Sequence, residues 1–509
     1  MAQQKNSTLP EQTQSFWRET EKQLKYDQLD KDIEVDTAIA GGGIAGITTA
    51  YLLAKRGKKV ALLEARELIN GTTGFTTAKL TAQHNLVYDE LINRYGQSWA
   101  KSFYQANMEG IALVKQLSEE LGIDCDLEEQ EAFVFTQDEE NRSKLLKELE
   151  AYEKLGIEGE FLEDLPLSLD IEAALMMRNQ AQFHPVKYLN GLLKELVKLD
   201  VEIFEQTRVM EIENKDSVIC HTEPGYKVTS DDLVVATHFP IHEPNKFYSG
   251  NLKPEGSYAL AVKVNNELNE FPDGMYINAD LPRRTLRKMR ADGEDYILVG
   301  GESHPVGDGT SSEQRYEKLA AYAKENFGED EIVYRWFSHD YLSPDRLPFI
   351  GLLNEKEDNI YTATGFGKWG LANAVVGGKV LADLIEGEQN PYTQLFSPQR
   401  KIGEMKDTEK ANKHPEDYET YTRPEKPEDL QKKQGAILKV DGNDVGAYKD
   451  EEGKLHMLDL TCTHLGCGVE WNDGNATWDC PCHGSRFSAT GEVIDGPAVE
   501  GLKRINEES

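Results

Sequence analysis

The chain has 509 residues, with 56 Lys and Arg against 90 Asp and Glu, and a formal charge of −34. This balance argues against nucleic acid and against an anionic membrane surface as partners, since both reward clustered positive charge. No run approaches the roughly 18 apolar residues of a membrane span, and residues 1–14 hold neither an apolar signal core nor a twin arginine, so a cytoplasmic enzyme without a membrane anchor is expected.

Residues 1–34 are polar apart from the pair Phe16 and Trp17, and read as an extension packed on the main body. Residues 35–40 form a short apolar strand leading into Gly41-x-Gly43-x-x-Gly46. From Ile44 and Ala45 to Arg56 the residues are helix-forming and core-facing, and 59–63 read as a second strand ending at Glu64. A lone GxGxxG says little, but strand, glycines, helix, strand and terminal acid within about thirty residues predict a dinucleotide site. The glycines admit a pyrophosphate to the backbone, the helix amino terminus meets its charge, and Glu64 accepts from ribose hydroxyls. Residues 65–79, from Ala65 through Thr72 and Thr73 to Lys79, form a small-residue, Thr-rich loop suited to close approach by a large cofactor.

Apolar residues at three- and four-residue spacing predict helices over 107–122 and 141–155, and another starts near Pro185. Strands are expected at 207–212, which includes Val209, and at 232–238, which includes Ala236 and Thr237. Short alternating strands follow at 258–264, 274–277, 285–290 and 296–301. The stretch Tyr341-Leu-Ser-Pro-Asp-Arg-Leu-Pro-Phe-Ile-Gly351 precedes a strand at 360–364, the loop Gly365-Phe366-Gly367-Lys368-Trp369-Gly370-Leu371, and a small-residue helix to about Gly387.

Across residues 35 to 390 these pieces resemble the D-amino-acid oxidase, glycine oxidase and sarcosine oxidase superfamily. The resemblance implies an α/β FAD-binding domain, Rossmann-like and of the glutathione-reductase type, interleaved over 35–395 with an α+β substrate domain built on an antiparallel sheet. It implies FAD, a backbone contact from Val209 to adenine, and oxidation of a C–N bond in an amine or amino acid. It also implies non-covalent flavin: Phe75 stands where dimethylglycine-dehydrogenase-like relatives carry the attaching histidine, and the cysteine used by sarcosine oxidases near 345–351 is missing.

Candidate chemistry follows from charge. Lys368 in the glycine-rich loop is placed to stabilise an anionic reduced flavin, with an exposed surface lysine as the alternative. Lys79 and His84 follow the Thr-rich loop and are candidates to face flavin or substrate. One of Arg283, Arg284, Arg287 and Arg290 could clamp a carboxylate, or all four could be solvated strand edges. His184, His238, His242, His304 and His339 show no metal-ligand spacing and read as hydrogen-bonded or exposed residues.

Residues 396–428 shift to Lys, Glu, Pro and Asp and read as a linker. Beyond it, 429–509 should be an all-β unit, with strands at 436–440, 445–448 and 455–458. Cys462-Thr-His464-Leu-Gly-Cys467 and Cys480-Pro-Cys482-His483-Gly-Ser485 follow. Each box offers a sulfur and a nitrogen, the ligand types of a Rieske [2Fe-2S] cluster. Zinc is the alternative for a Cys2His2 set, against which stand the non-finger spacing and the glycine-rich surroundings. Cys125 and Cys220 are too isolated for a disulfide framework and read as buried small hydrophobes.

Both boxes resemble the disulfide-containing Rieske proteins of the cytochrome bc type. The resemblance implies that Cys462 and Cys480 bind the inner iron, His464 and His483 the outer iron, and that Cys467 and Cys482 form a bridge. Ser485 then bonds to a cluster sulfur, and Gly496-Pro497-Ala498 covers the cluster. In a reducing compartment such a bridge is unusual, and burial beside the cluster is expected to protect it. Phe487 replaces a tyrosine of high-potential members, which predicts a potential below the top of the range of about −150 to +300 mV.

Flavin takes two electrons and the cluster passes one at a time, so the expected activity is a dehydrogenase delivering electrons to a one-electron acceptor protein or a quinone-like acceptor. Three alternatives differ in their requirements. A Rieske oxygenase needs a mononuclear iron site, which is not evident. An NAD(P)H-dependent reductase needs a second dinucleotide motif, and a redox sensor needs no substrate.

Overall fold

Residues 33–40 form a strand because Val35, Ala38, Ile39 and Ala40 are all apolar and all buried, as a parallel strand covered on both faces requires. In the computed structural model, which describes residues 9–264, 271–328, 331–402, 424, 426–440 and 442–505, this strand, Ile33–Ala40, is central. It pairs in parallel with Val60–Leu63 on one side and Lys227–Val235 on the other. Glu202–Phe204 and Glu357–Thr364 extend the parallel sheet outward, and Phe349–Asn354 closes one edge antiparallel. Ile44–Lys55 and Gly370–Ile385, rich in small residues, pack together against it.

Among the described residues a second sheet has nine strands, in spatial order from Ile332–Leu342 through Lys253–Lys263, Glu294–Pro305, Arg284–Ala291, Met275–Asn278, Glu128–Thr136 and Ala173–Gln182 to Lys79–Leu80, with Gly159–Leu162 beside Ala173–Gln182. The expected antiparallel arrangement holds except at one pair: Met275–Asn278 runs parallel to Ala132–Phe135. No hairpin joins these strands, so no turn sets their relative direction.

The helix predicted from 107 begins earlier, at Gln97, and ends at Leu121, where Gly122 takes φ 62°. Glu139–Leu155 is capped by Asp138, and Pro185–Lys198 starts at the expected proline. The amino-terminal extension is anchored by Phe16 and Trp17, both buried. Trp17 donates from Nε1 to the Thr76 carbonyl at 2.7 Å and Ser15 donates to Gly74, so the extension braces the Thr-rich loop.

At the other end the segment expected to begin the linker is partly structural. Phe396 is fully buried, and the Arg400 guanidinium reaches both oxygens of the buried Asp345 at 2.8 Å. The rest of the expected linker falls largely on 403–423, outside the described residues. The carboxyl-terminal unit consists of a three-stranded and a four-stranded antiparallel sheet. No described helix is long and apolar enough to cross a membrane.

Candidate active site and cluster site

The carboxyl ends of Ile33–Ala40 and Lys227–Val235 open onto a continuous cavity of about 1450 Å³, where ligands of open α/β sheets bind. Of the predicted cofactor residues, Gly41, Gly43, Ile44, Ala45, Glu64, Ala65, Thr72, Thr73, Val209, Ala236, Thr237, Phe366, Gly367, Lys368, Trp369, Gly370 and Leu371 line it. Gly46 and Gly365 do not line the cavity. Gly46 is required for packing, since a Cβ there would lie 2.0 Å from the Gly41 carbonyl oxygen, and Gly365 turns with φ +73° beside Leu252.

The amino end of Ile44–Lys55 has no side-chain cap; Ile44 N–H donates to Thr73 Oγ1 at 3.2 Å. Glu64 accepts from Gly42 N–H at 2.8 Å and from Arg66 N–H at 3.0 Å, and burial raises its pKa. A glycine-floored cradle with a carboxylate at one end and a second glycine-rich loop at the other suits a dinucleotide with a ring system attached. Phe75 also lines the cavity.

Lys368 adopts φ 72° and its ammonium donates to Glu255 at 2.5 Å and Ser303 at 2.7 Å, so the expected cation comes with a counter-ion. Burial raises Glu255, but Lys368 holds it below the usual carboxylate range. Lys79 lines the cavity too, donating to the Tyr276 carbonyl at 2.7 Å. Burial, helped by Arg287, depresses it well below an ordinary lysine. His84 stacks on Trp369 at 4.8 Å, and burial lowers it to about 3, so it is a neutral wall.

The four arginines separate. Arg290 is exposed and paired with Asp295. Arg287 is buried, bonded to the Ala78 carbonyl and set over Trp17. Arg284 is buried against Glu302. Arg283 and Arg284 both line the cavity, and Arg283 is close enough to Glu255 to stabilise its charge.

Asp340, missed from sequence, and His238, read there only as a hydrogen-bonded or exposed residue, also face the cavity. His238, at the end of a parallel strand, bonds through Nε2 to Asp340 at 2.9 Å, and the other Asp340 oxygen accepts from Lys368 N–H at 2.6 Å. Burial raises Asp340, and the His238 bond and charge together with the N–H groups of Lys368 and Tyr341 more than offset this, leaving it low. A histidine just beyond a strand end was the available signal for this pair. His184, His242 and His304 are hydrogen-bonded as expected, whereas the buried Nε2 of His339 has no hydrogen-bond partner among the described residues.

In the carboxyl-terminal unit the two boxes meet as paired loops. Cys462 N–H bonds to the Cys467 carbonyl and Cys480 N–H to the Ser485 carbonyl, each at 2.8 Å. Cys462 and Cys480 are free and buried, and Cys467 is bonded to Cys482. This bridge is half-buried, more open than expected, and packs against the core of the carboxyl-terminal unit.

The His464 and His483 rings lie 5.1 Å apart. Among the described residues, His483 Nδ1 is buried without a hydrogen-bond partner, as suits a ligand atom for a metal. A bond between the two free thiols holds Cys462 down to about 6, and burial together with His483 and Lys246 lowers His464 to about 4. Cys462, His464 and His483 are thus biased toward ligand forms, whereas the same thiol–thiol bond and burial push Cys480 well up, so that the pair shares a proton that a bound metal would displace. Ser485 Oγ is buried, accepts from Ala498 N–H at 3.0 Å and bonds toward Cys462. Phe487 is fully buried. These residues fit a two-iron cluster.

The two units are docked. Asp495, Gly496, Ala498 and Val499 line the same cavity as Gly41 and Arg66. Arg66 pairs with Asp495 at 3.5 Å, and the Arg486 guanidinium sits over Phe337 at 4.8 Å. Although burial raises Asp495, Arg486 and Arg66 hold it to about 2. Asp473 accepts from Ser312 N–H at 2.8 Å and Ser311 Oγ at 2.6 Å, at the start of the helix Ser312–Phe327.

The family description "FAD dependent oxidoreductase" matches residues 36–384, and "Rieske [2Fe-2S] domain" matches residues 423–506. Over 503 residues the chain is 41% identical to the "Putative Rieske 2Fe-2S iron-sulfur protein YhfW" of Bacillus subtilis (strain 168), covering 97% of this chain and 98% of that one. Gamma-glutamylputrescine oxidoreductase of Escherichia coli (strain K12) is 23% identical over 408 residues, 75% of this chain and 91% of that one. Glycine oxidase from Geobacillus kaustophilus superposes with a TM-score of 0.62 at 20% identity, over 73% of this chain and 100% of that one. At that identity the likeness shows a shared fold.

Proposed function

The chain belongs to the FAD dependent oxidoreductase family and carries a Rieske [2Fe-2S] domain, and from that premise we propose that it oxidises a C–N bond of an amine or amino acid and delivers the electrons to an external acceptor through the cluster. The observation that carries this reading is the docking: the turn Gly496-Pro497-Ala498, next to the cluster loops, borders the same cavity as the glycine loop.

The substrate loses one hydrogen from carbon and one from nitrogen, forming C=N, and water hydrolyses the imine to a carbonyl compound and an amine. Two electrons and two protons leave per substrate, so two equivalents of a one-electron acceptor protein, or one quinone-like acceptor, are consumed. FAD, when bound, supplies the two-electron chemistry, and the cluster supplies single-electron transfer.

The chain's own residues bind and orient. Of the two arginines that line the cavity, Arg284 is committed to Glu302, and Arg283 is suited to meet a substrate carboxylate. Lys79, whose burial favours the uncharged amine, is suited to accept a proton from the substrate nitrogen. Lys368 presents positive charge that Glu255 and Ser303 hold in place. The stacked pair His84 and Trp369 supplies an apolar wall that excludes water.

Anaerobic titration of the holoenzyme with a panel of amines and N-methyl amino acids tests this reading. Flavin bleaching followed by loss of cluster absorbance is expected. Bleaching by NADH alone would make the protein a reductase, and no response to either would favour a redox sensor.

A further inference from the structure

The Tyr341 phenol donates to the carbonyl of His483 at 2.8 Å, while the carbonyl of Tyr341 accepts from Gly367 N–H at 3.1 Å. One fully buried residue is therefore hydrogen-bonded at one end to the glycine-rich loop of the cavity and at the other to a cluster-ligand residue. Leu342, its neighbour, forms a β-bridge with Phe366 of the same loop. The Tyr341 ring lies edge-on to Phe239 at 5.2 Å, and Phe239 lies edge-on to His464 and His483 at 6.0 and 5.9 Å.

The cluster loop is shaped to receive the hydroxyl. Gly484 has φ +71°, and a Cβ there would fall 2.7 Å from Tyr341 Oη, closer than a carbon and an oxygen can approach without displacement. The contact at Asp473 lacks this double attachment: it caps the helix Ser312–Phe327, remote in sequence from both loops.

We infer that Tyr341 is the positioning residue that couples the two redox domains, fixing the His483 loop against the cavity loop and, with Phe239, forming the bonded and packed route over which electrons cross. The inference rests on the reading that flavin and cluster exchange electrons. Each crossing moves one electron, oxidising the flavin side and reducing the cluster by one, and the phenol keeps its proton. A hydrogen-bonded route matters because electronic coupling falls more steeply across an unbridged gap than along bonds.

The test uses holoenzyme reduced by a flash in the presence of a deazaflavin with EDTA as the sacrificial electron donor, so no substrate is needed. The readout is the concentration-independent phase in which cluster absorbance falls as flavin absorbance returns, paired with amide hydrogen exchange of residues 482–485 in the resting protein. Tyr341→Phe should slow that phase about tenfold, the worth of one buried hydrogen bond, and raise exchange at 482–485. Gly484→Ala should do the same by displacing the loop. Asp473→Asn should raise exchange at 311–313 and leave the phase within about twofold, as loss of a rim contact does.

An unchanged phase in Tyr341→Phe, or equal slowing in Asp473→Asn, would overturn the assignment. If the wild-type protein shows no such phase, electron exchange between the centres is the part that fails. Unchanged exchange at 482–485 in Tyr341→Phe would then refute the positioning role independently.

Discussion

The residues suited to hold the cluster come from two boxes between Cys462 and Ser485, folded into paired loops. The flavin cavity instead draws on Gly41, Thr73, Val209, Ala236, Asp340 and Trp369, brought together by two sheets. A metal site needs a few strong donors at short range, which adjacent loops can supply. A dinucleotide with a flavin ring needs a long, shaped surface, which topology must assemble. The cluster site should therefore fail through single ligands, and the cavity through backbone fit.

The sharpest test is Cys480→Ser. Loss of the cluster's visible absorbance and electron paramagnetic resonance signal is expected, with FAD retained; loss of both cofactors would show that the sites are not separately built. Gly46→Ala should give the converse, because a Cβ 2.0 Å from the Gly41 carbonyl oxygen meets backbone that no side-chain rotation can relieve. The protein should be isolated with its cluster and without flavin, and normal flavin content would contradict the geometry. From the wild-type protein, acid precipitation should leave free FAD in the supernatant, consistent with Phe75 at the attachment position.

Replacing Cys467 and Cys482 together by serine removes a bridge spanning 15 residues. A loop of that size is worth about 3 kcal/mol in the chain-entropy account, so cluster absorbance should be lost at a lower temperature while the flavin transition stays in place. A common shift of both transitions would mean that the docked units unfold as one.

The smallest effect concerns Glu148, at the wall of the flavin cavity. It accepts from the N–H groups of Val87, Tyr88 and Asp89 at 2.8 to 2.9 Å, yet burial raises it from 4.5 to about 7. An acid raised in the folded state keeps its proton longer there than when unfolded. Its contribution is therefore complete at low pH and lost as pH rises from 4.5 toward 7. Between pH 5 and 7 the loss is about 2 kcal/mol, read as a fall in thermal midpoint that Glu148→Gln should abolish. A difference between the two proteins that does not vary with pH would show that this carboxyl does not titrate in that window.

What sequence alone determined was whatever is written in contiguous residues: the glycine loop with Glu64, the glycine-rich loop at Gly365 to Leu371, and the cluster boxes with Ser485 and Phe487. Each of these depends on local backbone geometry or on ligand type at short spacing, so pattern suffices. Tertiary structure decided which two of four arginines reach the cavity, that Lys368 is paired with Glu255, that His238 meets Asp340, and that Tyr341 lies between the two redox domains. Those pairs join residues far apart in the chain, and their partners depend on strand order and docking, which no local pattern encodes. The opposition between local ligands and an assembled cavity marks where reading the chain stops and folding it begins.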